Sequence, residues 1–190
     1  MEKSEENPIS WWRANFGEIA PVGNVLIMHR QADWLRIHSL PESKRYPDTP
    51  EEMDEVVRRN KVLASRLFSV GEQIFIFRSI SHNLEDSMQL MQPSPDGHNL
   101  FRASASPDSP EDDDFFITVA EIASWPCPGF SDTVRNIADE EERMISFVSA
   151  ATGNILCPYD GGTDSFTSAT VSKQLSNDYA TWLSSHPSGC

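Results

Sequence analysis

Residues 49–78 restrict the possible folds most, because a capped amphipathic helix there runs directly into a strand with no polar face. Thr49-Pro50-Glu51-Glu52 supplies an N-cap hydroxyl, a proline at the first helical position and a glutamate at the capping-box position. Met53, Val56, Val57, Leu63, Ala64, Leu67 and Phe68 then recur at helical spacing, interrupted at Asn60, and Gly71 stops the run. Arg58, Arg59, Lys61 and Arg66 lie off or beside this stripe, and their charge complements the C-terminal half of the helix dipole. The pattern predicts a helix over 50–69. Gln73-Ile74-Phe75-Ile76-Phe77-Arg78 follows it, apolar on both sides and rich in strand formers, and so belongs inside a sheet.

The remaining periodicity is weaker. Val25–Met28 and Trp34–His38 read as short strands joined by a polar turn through Gln31-Ala32-Asp33. Residues 9–16 suit a short helix ending at Gly17. Phe115–Ala120 and Met144–Ala150 are strand-like, and the second runs through Ala151-Thr152-Gly153-Asn154 into Ile155-Leu156-Cys157 as a hairpin. A last helix is expected over 168–185, with Val171, Leu175, Tyr179, Trp182 and Leu183 on one face and Trp182 largely buried. His186-Pro187-Ser188-Gly189 would end it. The sum is a single α+β domain over residues 1–190, a mostly antiparallel sheet flanked by helices 50–69 and 168–185.

Charge divides the chain. Its 190 residues carry a formal charge of −14; residues 1–95 contribute −3 and residues 96–190 contribute −11. Such a balance repels phosphate at long range and argues against a nucleic-acid surface. The stretch 93–114, rich in Pro, Ser and Asp, reads as an exposed acidic loop. The N-terminus has no apolar h-region, and no apolar run approaches the roughly 18 residues of a membrane span. These features point to a cytoplasmic protein that engages no membrane.

Little in the sequence points to catalysis. Cys127, Cys157 and Cys190 form no C-x-x-C pair, and the five histidines form no H-x-x-x-H pair, so no metal or cofactor site is expected. Cys157 reads as a buried, inert thiol. Two segments concentrate polar chemistry. In His38-Ser39-Leu40-Pro41-Glu42-Ser43-Lys44-Arg45-Tyr46, an imidazole, a hydroxyl, a lysine and an arginine converge near the start of the long helix, where an anion would be favoured. Its structural reading is a proline-set connection in which Arg45 meets an aspartate and Tyr46 packs on the sheet. In Tyr159-Asp160-Gly161-Gly162-Thr163-Asp164, two carboxylates flank two glycines that permit a left-handed turn. That turn carries fewer oxygen ligands than a calcium loop, and no partner at motif spacing makes Asp160 and Asp164 an acid–base pair.

These two segments also carry a resemblance. Trp34–Tyr46, the Tyr159–Asp164 turn and Trp182-Leu183-Ser184-Ser185-His186-Pro187-Ser188-Gly189 resemble blocks, in the same order, of a family of uncharacterised bacterial proteins to which no activity is attached. More loosely, the turn resembles the H-x-Y-D-D-R-G-x-D motif of a bacterial domain of unknown function, several of whose members look like immunity proteins beside secreted toxins. Here Cys157 stands where that pattern has His, and two glycines replace Asp-Arg-Gly. The shared layout implies a shared fold.

The sequence therefore favours a non-catalytic module that binds a basic protein, with toxin neutralisation as the role implied by the looser resemblance. The competing reading is an enzyme or small-ligand binder using the 38–46 and 159–164 loops, with His38, Lys44, Arg45, Asp160 and Asp164 in one cleft. A geometric expectation follows: Arg45 or Lys44 should lie close to Asp160 or Asp164, forming one cluster with His38, Ser39, Tyr46 and Tyr159.

Overall fold

A computed structural model describes residues 7–30, 33–81, 100–104 and 115–183. The two-sided apolar strand organises it. Gln73–Ser81 is the second strand, β2, and lies between β5 (Ile145–Ser149) and β4 (Phe115–Ser124), antiparallel to both. Among the described residues the sheet is antiparallel, with seven strands in the order β1-β7-β6-β5-β2-β4-β3. Here β1 is Trp34–His38, β3 is Leu100–Ser104, β6 is Ile155–Tyr159 and β7 is Gly162–Phe166. Side chains alternate across β2. Ile74 and Ile76 enter one core, whereas Phe75 and Phe77 enter the other.

Each core is closed by helices, and the result is a single α+β domain. One contains Val56, Val57, Leu63 and Leu67 of α3 (Pro50–Leu67), Val134 and Ile137 of α4 (Phe130–Ala138), and Leu175 of α5 (Ala169–Asp178). The opposite core contains Trp11 and Trp12 of α1 (Pro8–Phe16) and Val25 and Leu26 of α2 (Gly23–Arg30). The helix ends follow local chemistry. Asn7 accepts from the Ile9 and Ser10 amides, and Thr49 accepts from the Glu52 amide. The Glu52 carboxylate reaches back to the Asp48 amide at 2.7 Å.

Several expectations are corrected. Val25–Met28 is helical, part of α2: Val25 and Leu26 are buried against the sheet while Met28 is 66% exposed. A short apolar run fits a strand or a helix equally well, and packing against the sheet decided it. The last helix ends at Asp178, and a 3-10 turn, Ala180–Trp182, follows. Trp182 is therefore half-buried; it stacks on Tyr179 at 4.5 Å and lies under the Arg58 and Arg59 guanidinium groups. Within the stretch read as an exposed loop, residues 100–104 form β3, with Phe101 and Ala103 buried. The rest of 93–114 lies outside the described residues, as do residues 186–189 expected to end the last helix. Helix α4 escaped notice although Phe130, Val134, Ile137 and Ala138 keep helical spacing.

Candidate functional site

Strands β1, β7 and β6 bring the two polar segments together. Tyr159 and Gly162 pair across the β6–β7 hairpin, so Asp160-Gly161 is its two-residue turn. The amide of Ser39 donates to the Gly161 carbonyl, fixing the first loop beside that turn. The glycines provide space here and not a left-handed backbone, since neither has a positive φ. A Cβ on Gly162 would sit 2.5 Å from the Ile37 carbonyl oxygen and 2.8 Å from the Tyr159 hydroxyl.

The expected ion pair forms at the surface. Asp160 Oδ2 accepts from Arg45 Nε at 2.8 Å, from an Arg45 terminal nitrogen at 2.6 Å and from the Tyr46 hydroxyl at 3.1 Å. The Tyr46 hydroxyl also lies 3.2 Å from Glu140 Oε1. The Asp160 hydrogen bond holds the Arg45 pKa above its ordinary value, and desolvation followed by the Asp160 carboxylate raises that of Tyr46. Lys44 does not join them. It binds Asp48 and Glu52 at 2.8 and 2.6 Å, serving the start of α3, and those hydrogen bonds raise its pKa.

Asp164 belongs to a separate, deeper cluster. It points from β7 toward α2, where its oxygens accept from Trp34 Nε1 at 2.7 Å and from Arg36 Nε and Nη2 at 2.8 and 3.0 Å. The Arg36 guanidinium lies between the Trp34 and Tyr159 rings, 5.2 and 4.9 Å from their centroids. Sequence reasoning missed Arg36. The sequence alone could not show it, because the in-register pairing of Arg36 with Asp164 depends on β7, whose composition does not read as a strand. His38 and Ser39 are buried at the end of β1, and His38 Nε2 and Ser39 Oγ have no hydrogen-bond partner among the described residues. Burial, then the Arg36 charge, lowers the His38 pKa. The neighbouring Arg59 is buried and donates to the His38 carbonyl oxygen.

The segments meet beside a cleft of about 280 Å³. Arg45, Tyr159 and Asp160 line it on one side, and Glu140, Glu142 and Arg143 of the α4–β5 loop line it on the other. The four described non-glycine residues with positive φ are Glu42, Ser43, Glu140 and Met144, all in the two loops that supply these walls.

Residues 23–187 match a family described as a domain of unknown function, DUF3885. The chain belongs to this family. The matched region of the DUF3885 chain runs from the first residue of α2 past α5 and includes both arginine–aspartate pairs. No curated protein and no solved structure matches it. Among its described residues, no group of three or more His, Cys, Asp or Glu is placed to hold a metal ion. Cys157 is fully buried, its thiol pushed up to about 12 by desolvation and placed 3.1 Å from the Ser146 hydroxyl. Among the described residues, no helix is long and apolar enough to cross a membrane.

Proposed function

We propose that this DUF3885 domain is a non-catalytic protein-binding module whose contact face is built from residues 41–46, 139–144 and 158–161. One observation carries the reading: Tyr46 is 41% exposed, yet its hydroxyl donates its one proton within reach of two carboxylates, Asp160 and Glu140, from distant parts of the chain. An exposed, pre-oriented tyrosine beside an exposed arginine is the composition that protein interfaces favour, and fixing it in advance lowers the entropy lost on binding. Asp139–Glu142 adjoins it, in the half of the chain that carries −11, and would speed the approach of a basic partner. Toxin neutralisation is the role this reading accommodates most directly. The enzyme reading draws less support, because Arg45 and Asp160 neutralise each other, Lys44 is committed to α3 and Asp164 to Arg36.

Photo-crosslinking tests the proposal. A photoreactive phenylalanine derivative at Tyr46 should capture a discrete basic protein in the source cell. The same probe at Val70, just past the far end of α3, roughly 27 Å along the 18-residue helix, should not. If the captured protein is a toxin, co-expression of the domain should relieve its effect on growth. Identical adducts at both positions, or none at Tyr46, would overturn the reading.

A further inference from the structure

We propose that the cleft beside Tyr159 receives one arginine or lysine side chain of the partner, an inference that rests on the protein-binding reading above. Its size is the first argument. At about 280 Å³ it falls below the roughly 300–1,000 Å³ of sites for drug-sized ligands and cofactors, and suits a single long side chain.

Its lining is the second. Ile137, Met144 and Pro158 offer apolar surface, and Glu140, Glu142 and Asp160 offer carboxylates. An aliphatic stem with a cationic head matches that division.

The carboxylates keep capacity for such a head. Asp160 uses Oδ2 for Arg45 and Tyr46, Glu142 uses Oε2 for Arg78 at 3.1 Å, and Glu140 uses Oε1 for Tyr46. The second oxygen of each accepts no hydrogen bond among the described residues. A cation can therefore be neutralised without breaking the Arg45–Asp160 contact that shapes the cleft.

Arg143 is the opposing observation, since it also lines the cleft, is exposed and has no ion-pair partner among the described residues. The local balance still favours a cation. Three lining carboxylates meet two lining guanidinium groups and the Arg78 guanidinium on Glu142, and Asp139 and Glu141 on the same loop tip the balance to negative. A guanidinium should bind more tightly than an ammonium because its planar fork engages two carboxylate oxygens at once.

The test is an NMR titration of the full chain with four Nα-acetyl amino-acid amides, those of arginine, lysine, norleucine and glutamate. Saturable shifts at the Glu142, Met144 and Gly161 amides are expected with the arginine and lysine compounds, arginine binding more tightly. Norleucine, which has the stem without the charge, should bind at least about tenfold more weakly, a difference well above titration error. The double variant Glu140→Gln/Glu142→Gln should weaken arginine binding by a similar factor while its circular dichroism is unchanged. Equal binding of norleucine would make this a plain apolar groove, and preferential binding of glutamate would make it an anion site of Arg45 and Arg143. Either result overturns the proposal, as does an absence of shifts with all four. Protein capture at Tyr46 without arginine binding would sink this inference and leave the protein-binding reading intact; arginine binding without capture would overturn the protein-binding reading, and with it a partner as the source of the cation, while leaving a guanidinium site.

Discussion

Arg36–Asp164 and Arg45–Asp160 tie the same two stretches of chain together with the same chemistry, and their surroundings give them different work. In the first pair the side chains are 18% and 6% exposed; in the second they are 61% and 14% exposed. Asp164 adds a tryptophan N–H to its arginine, and that arginine is enclosed by two aromatic rings. Asp160 adds an exposed tyrosine hydroxyl. Desolvated charges are costly unless every partner is in place, so the inner pair constrains how β1 meets β7. In the outer pair the carboxylate is at least as covered as Arg36, but Arg45 is 61% exposed and solvation of that guanidinium weakens the contact, so the outer pair sets the shape of a surface. The comparison separates residues that hold the fold from residues free to meet another molecule.

The largest expected effect lies in the inner pair. Asp164→Ala takes a 6%-exposed carboxylate away from the Arg36 guanidinium and the Trp34 N–H and should cost about 3 kcal/mol in a urea titration, the low end of the range for breaking a buried pair because Arg36 itself is 18% exposed. A loss under about 1 kcal/mol would mean that water reaches Arg36 and that the two pairs are alike.

Gly162 lies between the pairs and comes next. Gly162→Ala places a methyl against the Ile37 carbonyl and the Tyr159 ring, and overpacking of this kind costs about 1–3 kcal/mol. Because Tyr159 touches both Arg36 and the cleft, the variant should also move the Arg45 and Asp160 resonances; unchanged spectra there would show the regions to be independent.

A smaller effect follows from His38, which faces Arg36 on its own strand, Arg59 of α3, Asp164 of β7 and the Gly161 backbone. Its pKa is lowered below 6.5 in the folded chain, chiefly by burial. As pH falls through 6.5 the unfolded chain takes up the proton first, so stability declines from there down to the folded value; above 6.5 the group contributes nothing. His38→Asn should flatten that decline. The contribution of Glu55, whose pKa the Arg58 hydrogen bond helps to pull from 4.5 to about 2, is lost only at lower pH. An unaltered slope just below pH 6.5 in His38→Asn would place the pH response elsewhere.

The smallest effect is the outer pair's own coupling. A double-mutant cycle on Arg45→Ala and Asp160→Ala should give a value far below that of an Arg36/Asp164 cycle, fading as salt is raised. Equal coupling in both cycles would remove the distinction between an inner lock and an outer contact face.

Much of the fold was legible because local chemistry agreed with packing. The Thr49-Pro50 start of α3, the alternating core residues of β2 and the β5–β6 hairpin each carry their signal within a few residues. The meeting of Arg45 with Asp160 was also readable, from a basic loop and a carboxylate turn in an acidic chain. Strand β7 was not. Gly162-Thr163-Asp164-Ser165-Phe166 is a poor strand by composition, and β1 and β6 on its two sides impose that conformation.

What the sequence determined by itself was the set of elements whose hydrogen bonds and apolar periodicity are local: the capped α3, the strand β2 that must lie inside a sheet, and the excess of negative charge. Only the tertiary structure decided that Val25–Met28 would cover the sheet as a helix, that Asp164 would be buried against a part-buried Arg36, and that Asp160 would meet an exposed Arg45. Asp160 and Asp164 belong to one short segment and carry the same carboxylate. Strand pairing sets Asp164 against a part-buried arginine while the hairpin turn sets Asp160 against one that is 61% exposed, and the solvation of the partner then gives identical groups different roles.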